Sequence, residues 1–357
     1  MPEPDRRSGN AERQLGILSA AASEGYGMTV EGPAPHQSFT AANRGGTLSV
    51  SVRGIRVPRP SMGDLQRQSR AVVTPRKHGY NGTREKERFM ELGQIQLGDV
   101  SVSRMIIGGN PFSGFSHQTE AKDQEMRRYF STQRIKDTLR QAESLGVNTH
   151  LGRADHHIMR VLLEYWDEGG SIQWIAQTCP EVGDIPRGIQ NGIDGGAKAC
   201  FIHGGLMDFR FAQNHLDDIP DAIAMIRDAG LPAGIAGHNP RVFEWAEEQI
   251  DVDFYMCSYY NSANRDETAE LQSGMAEWFR PEDRERMAAL IQNLSKPVIH
   301  YKVMAAGRND PKEALTFVAQ HLRPQDAVCI GIYPHDKADM LEENIALLRN
   351  CLKEAGE

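Results

Sequence analysis

From Met90 onward the chain repeats one rhythm: a short apolar run, a polar turn holding Gly, Asn or His, then an amphipathic stretch of ten to fifteen residues. Eight runs carry it: SRMIIGGN, GVNTHLG, IQWIAQT, AKACFIHGG, PAGIAGHN, VDFYMCSYYN, KPVIHYKV and AVCIGIY. The stretches between them read as helices with recognisable ends. Thr132 opens TQRIKDTLRQAESLG and Gly146 stops it, Asp155 caps DHHIMRVLLEYW, and Asn239 and Asp310 each precede a proline suited to a first helical turn. Eight alternations over about 265 residues predict a (β/α)8 TIM barrel over 90–357, since a doubly wound open sheet uses fewer strands. No GxGxxG lies at a strand-to-helix turn, which argues against a Rossmann fold. The alternating LGQIQLGDVSVSR just before the first run predicts a hairpin over the bottom of the barrel.

Charge divides the chain in two. Residues 1–89 hold fourteen Lys/Arg against eight Asp/Glu, a balance of +6, whereas the whole chain carries −8, so the remainder carries −14. The first part is rich in Gly, Pro, Ser and Arg and has neither helical nor strand periodicity, so it predicts a disordered N-terminal extension. Its arginines lack interleaved aromatics or a recognisable motif, so nucleic-acid binding is not expected. With 39% hydrophobic and 25% charged residues the chain has the composition of a soluble globular protein. It contains no apolar run of eighteen residues and no charged start followed by an apolar stretch, which predicts a cytoplasmic protein with no membrane partner. Cys179, Cys200, Cys257, Cys329 and Cys351 are odd in number and mostly embedded in apolar runs, as expected of reduced structural thiols.

In (β/α)8 barrels the chemistry lies at the C-terminal ends of the strands. The polar residues ending each run are Asn110; His150 and Arg153; Gln177 and Thr178; His203; His238 and Asn239; Ser258, Tyr260 and Asn261; Lys302 and Arg308; Tyr333 and His335. His150 is expected to point into the mouth, whereas His156 and His157 belong to the following helix. The trio His150, His203 and His238 reads in two ways: as ligands of a divalent metal, or as metal-free acid and base groups titrating near neutral pH. Lys302 is a candidate base, electrostatic clamp or Schiff-base amine. Two long connections, NPFSGFSHQTEAKDQEMRRYF after the first run and NSANRDETAELQSGMAEWFRPEDRER after the sixth, exceed the usual loop length. They predict lids over a small-molecule substrate, weighted by Phe112, Phe115, Trp278 and Phe279.

In order and spacing, LGDVSVSRMIIGGNPF, AGIAGHNPRVFEWAEEQIDVDFYMCSYYN, VIHYKVMAAGR and IGIYPHDKADMLEENIALL together resemble the aldo-keto reductase superfamily over most of residues 92–350. The resemblance implies an NADP- or NAD-dependent oxidoreductase acting on a carbonyl or carbohydrate-like compound. It implies a catalytic role for His203, beside which His150 and Lys302 stand as catalytic candidates by their strand-end places, and a nucleotide held by Asn110, Ser258, Tyr260, Asn261, Tyr301, Gly307, Arg308, Gly331, Glu343 and Asn344. Family chemistry uses a tyrosine acid beside a lysine, arranged by an aspartate and a histidine. His203 matches the histidine, but Leu151 stands at the aspartate position, ADHH replaces the tyrosine segment, and Gln177 or Thr178 falls where the lysine belongs. Lys302 and Val303 stand at the family's Ser-Pro. The alternatives are a non-redox lyase, isomerase or hydrolase using the histidines and Lys302, with or without a metal, and a catalytically inactive ligand-binding barrel.

Overall fold

Residues 92–263 and 277–356 are described by the computed structural model of the chain. The N-terminal extension and the middle of the second long connection, 264–276, lie outside them. Strands β1 (Gln94–Leu97) and β2 (Val100–Ser103) pair antiparallel across the Gly98 turn. Then come β3 (Met105–Gly108), α1 (Glu120–Tyr129), α2 (Thr132–Ser144), β4 (Thr149–Arg153), α3 (His156–Asp167), β5 (Gln173–Gln177), α4 (Ile185–Asp194) and β6 (Ala199–Ile202). The second half holds α5 (Gly204–Ala212), α6 (Ile219–Asp228), β7 (Ala233–Gly237), α7 (Pro240–Gln249), β8 (Phe254–Ser258), α8 (Pro281–Ile291), β9 (Val298–Tyr301), α9 (Pro311–His321), β10 (Ala327–Gly331) and α10 (Met340–Ala355). β3 to β10 run parallel and close into a barrel of eight strands, with β10 paired to β3. The fold is the (β/α)8 TIM barrel that the rhythm predicts, and seven of the eight apolar runs contain a whole barrel strand, while β4 runs one residue past GVNTHLG to Arg153.

Side chains alternate between two cores, as the two-residue period of a strand requires. Ile106, Leu151, Ile175, Phe201, Phe254, Met256 and Ile299 fill the barrel. Ile107, Trp174, Ile202, Ile235, Tyr255 and Val328 face outward and pack with apolar helix residues such as Ile135, Val161, Ile189 and Leu348. Ile95, Leu97 and Val102 of the hairpin join the inner core, so β1 and β2 plug the bottom of the barrel. All five cysteines are free and buried, and burial pushes the thiols of Cys200 and Cys329 up to about 12, far from a reactive thiolate.

The helix signals hold at their ends: Asp155, Asn239 and Asp310 accept backbone N–H bonds as N-caps, and Gly146 takes a φ of 88° beyond α2. The first long connection departs from its reading as a loop, because α1 occupies Glu120–Tyr129. The Thr119 hydroxyl accepts from Lys122 N, Glu120 and Asp123 stand in the first turn, and Arg127 and Arg128 in the last, so cap and charges both suit the helix dipole. No helix among the described residues is long and apolar enough to cross a membrane.

Candidate active site

A cavity of about 440 Å³ opens at the C-terminal ends of the strands, and all eight barrel strands contribute to its wall. Leu151, Phe201, Ala236, Met256 and Cys329 come from the inner core and make its floor apolar. Polar groups enter where the inward-facing parity of each strand runs on to the rim, giving Arg153, Gln177, His203, His238 and Tyr301.

Tyr301 ends β9, packs on the inner core and reaches across toward the end of β7. Its hydroxyl lies 3.2 Å from His238 Nε2 and 3.3 Å from Gly237 O, and His238 Nδ1 lies 2.6 Å from Asp208 Oδ2. Asp208, on α5, is buried and also accepts from the backbone N–H of His238 and of Asn239, both at 3.0 Å on Oδ1. With Asp208 as the acceptor, Nδ1 of His238 carries the proton and Nε2 is left as an acceptor facing the Tyr301 hydroxyl, which shares its one proton between Nε2 and Gly237 O. The result is a directed chain from a buried carboxylate through an imidazole to a phenol on the cavity wall. It can take a proton from the phenol and hold the imidazolium that forms.

Beside it lies the strained loop after β9. Lys302, Ala305 and Ala306 adopt φ of 57°, 48° and 55°, and Gly307 follows at 80°. With His117 at 57°, four of the five non-glycine residues with positive φ among the described residues lie on or beside the cavity wall. Such backbone costs about 1–3 kcal/mol per residue and persists only where surroundings enforce it. Here Gln118 Nε2 donates to Ala306 O at 2.8 Å, and Arg308 donates to His117 O at 3.0 Å and Ala305 O at 3.1 Å.

Glu277 ties the mouth together. Its buried carboxylate accepts from Ser262 Oγ at 2.8 Å and pairs with His117 Nδ1 at 2.8 Å and Lys302 Nζ at 3.2 Å. Burial alone would raise its pKa, but the His117 ring, the Lys302 ammonium and the Ser262 hydroxyl overcome that and hold it well below the usual carboxylate range.

The structure corrects several expectations. His150 does not face the mouth: Leu151 and Arg153 take the inward positions, so His150 points out of the barrel, 1% exposed, donating Nδ1 to Ile107 O at 3.1 Å beside Phe112. Burial lowers its pKa to about 4, so it is neutral at physiological pH. Its ring lies over Gly152, where any Cβ would collide with it. The metal trio His150, His203 and His238 therefore does not converge, and both His238 nitrogens already have partners. The one group of His, Cys, Asp or Glu near enough to share an ion among the described residues is Glu125, His335 and Asp336. There the Lys122 ammonium already bonds both carboxylates. Lys302 lines the cavity as an ammonium engaged by Glu277 and Ser262, which suits a clamp better than a Schiff-base amine.

Of the residues expected to bind a nucleotide, Asn110, Tyr301, Gly307, Gly331, Glu343 and Asn344 line the cavity. Ser258, Tyr260, Asn261 and Arg308 do not: Ser258 bonds Tyr260 O, the Tyr260 hydroxyl accepts from Asn309, and Arg308 is turned into the loop with its guanidinium over Phe279. His203 caps α5 by accepting from Leu206 N and also lines the cavity. Asp208, Ser262, His117 and Glu277 escape the strand-end rule because they lie on a helix and on loops. Asp208 leaves one trace in the sequence, an aspartate on the buried face of the otherwise apolar GGLMDF.

No family model and no curated protein matches the chain. Among solved structures, two from Pseudomonas aeruginosa described as aldo-keto reductases share 16% identity with it and cover 74% of this chain, with TM-scores of 0.52 and 0.50 over 97% and 96% of their own lengths. A glycerol dehydrogenase of Gluconobacter oxydans follows at 11% identity, 75% of this chain, 97% of its own and a TM-score of 0.43. At this identity the likeness shows the fold alone, an aldo-keto-reductase-like (β/α)8 barrel.

Proposed function

We propose that the chain is an enzyme of aldo-keto-reductase type that moves a proton to or from a small carbonyl compound bound in the barrel mouth, with Tyr301 as the proton-transferring residue. The observation that carries this is the chain from Asp208 through His238 to the Tyr301 hydroxyl on the cavity wall. In the reducing direction the phenol proton passes to the carbonyl oxygen while the protonated His238 ring, held by Asp208, returns a proton to the phenolate. In the reverse direction His238 accepts the phenol proton, Asp208 stabilises the imidazolium, and the phenolate takes the alcohol proton. This places the acid on the ninth strand of the chain, away from the replaced tyrosine segment.

A nicotinamide nucleotide, when bound, would supply the hydride. The wall offers it Gly307, Gly331 and Asn344, a residue 4% exposed whose side-chain amide has no hydrogen-bond partner among the described residues. A 2′-phosphate finds less: Lys337 is held by Glu343 at 2.6 Å, Arg308 faces away, and the first turn of α10 carries Glu342 and Glu343. The residues fit NAD better than NADP. The second reading, a non-redox isomerase or lyase, draws on the same proton chain, which works without a hydride.

The test titrates the purified chain with NADH and NADPH by fluorescence and then follows NADH oxidation with simple aldehydes. NADH should bind more tightly than NADPH. Tyr301→Phe should lower kcat by about 10² to 10⁴-fold and leave NADH affinity unchanged. Full activity in Tyr301→Phe would sink the assignment of the acid. No binding of either nucleotide would remove the redox reading, and solvent-deuterium exchange next to the carbonyl would then test the second.

A further inference from the structure

We infer that Arg153 and Glu181 make the β4 to β6 side of the cavity select uncharged carbonyl compounds over carboxylates, with Glu181 as the residue that enforces the choice. This rests on the reading that the substrate lies in this cavity against Tyr301.

Arg153 ends β4 on its inward-facing side, 9% exposed, with its guanidinium 4.8 Å over the Phe115 ring. A guanidinium on the wall of a ligand cavity is ordinarily the group that grips a carboxylate through two parallel N–H bonds. Here its Nε donates to Asp155 Oδ2 at 2.8 Å and its Nη1 forms an ion pair with Glu181 Oε1 at 2.6 Å, so two carboxylates meet one cation. Both donor sides of the fork are drawn toward acids of the protein itself, and the three groups together carry a net negative charge.

The two acids differ in what else they do. Asp155 uses its other oxygen to cap α3 through Ile158 N, so it is bound to the scaffold. Glu181 lines the cavity, its side chain is 38% exposed, and among the described residues it bonds Arg153 alone. It therefore acts as a removable counter-charge at the rim. Lys302, the cation that follows Tyr301 in the chain, is likewise occupied by Glu277. The other lining groups on this side are Gln177, Pro180 and His203 at the rim, with the His203 ring engaged in capping α5, and Leu151 and Phe201 on the floor. An anion entering there meets Glu181 and gains no unshared cation, whereas a neutral carbonyl compound with an apolar body meets a matching wall. Selectivity arises as much from this repulsion as from attraction.

The test uses two probes of the same size and shape, 4-formylbenzamide and 4-formylbenzoate, with binding read by saturation-transfer NMR in the presence and absence of NADH. The amide should bind at least about tenfold more tightly than the benzoate, the scale of one charge-assisted contact. Glu181→Gln should bring the two to within about threefold by strengthening the benzoate, with the amide unchanged. Adding Arg153→Met to Glu181→Gln should abolish that gain, which separates recognition by the freed guanidinium from general loosening. Equal binding of the two probes to the unmodified protein, binding of neither, or an unchanged ratio in Glu181→Gln overturns the inference. Binding is read without turnover, so a protein that discriminates the probes but reduces neither would refute the catalytic reading and leave the selectivity in place.

Discussion

The barrel contains two chains built from the same three residue types, and they are opposites. One runs from Asp208 through His238 to Tyr301 and ends on the cavity wall. The other runs from Asp326 through His300 to Tyr259, with the Tyr259 hydroxyl 3.0 Å from His300 Nδ1 and His300 Nε2 3.3 Å from Asp326 Oδ2, and all three residues are fully buried. The carboxylates are also kept differently. Asp326 accepts from the Arg323 guanidinium at 2.8 and 2.9 Å as well as from Val298 N at 2.9 Å, whereas Asp208 is bonded by backbone N–H groups and the His238 ring. Burial would raise the Asp326 pKa, but His300 and Arg323 outweigh it and lower it, and burial pushes the Tyr259 phenol far up. Residue types alone therefore do not make an acid–base site. What distinguishes the Tyr301 chain is a hydroxyl that a ligand can reach.

The comparison can be broken most sharply at Asp326. Asp326→Asn removes the carboxylate that pairs with Arg323, leaving its charge on the carbonyls of Leu294 and Lys296, and should cost about 3–5 kcal/mol in urea unfolding, while the folded fraction keeps its rate. A comparable stability loss from Tyr301→Phe would erase the contrast between the two chains. A third buried histidine sharpens it, because His150 has a carbonyl and no carboxylate beside it. Its pKa of about 4 when folded lies below 6.5 when unfolded, so the unfolded chain binds the extra proton between those values. The stability linked to His150 is then full above pH 6.5 and falls as the pH drops toward 4, by up to about 3 kcal/mol. His150→Leu should flatten this slope in unfolding measured from pH 7 to pH 4.5, and an unchanged slope would refute the neutral, desolvated state. The smallest effect is expected at the sealed phenol: Tyr259→Phe should lose about 1 kcal/mol of stability and leave kcat unaltered, against the 10² to 10⁴-fold loss at Tyr301.

The strands were legible because a barrel strand buried on both faces must read as a short apolar run, and AVCIG or FYMCS has few other ways to be satisfied. The rim was legible only to within one residue. At GVNTHLGR, His150 and Leu151 compete for the inward position, and a shift of one exchanges the two faces of a strand. Pairing with β3 and β5 decides the matter, and that is long-range information. Tyr301 was visible only as a residue on the nucleotide side, not as the end of a hydrogen-bonded chain, because Asp208 and His238 reach it from positions 93 and 63 residues earlier. The α1 helix was legible in principle, since Thr119 with Glu120 and Asp123 spells a helix start.

The hairpin of β1 and β2 has a consequence for traffic. With Ile95, Leu97 and Val102 stoppering the lower end, the vessel has a single neck, and whatever lies deepest must enter first and leave last. A two-reactant cycle in such a vessel is a queue, so the two reactants should inhibit one another in the asymmetric pattern of ordered arrival.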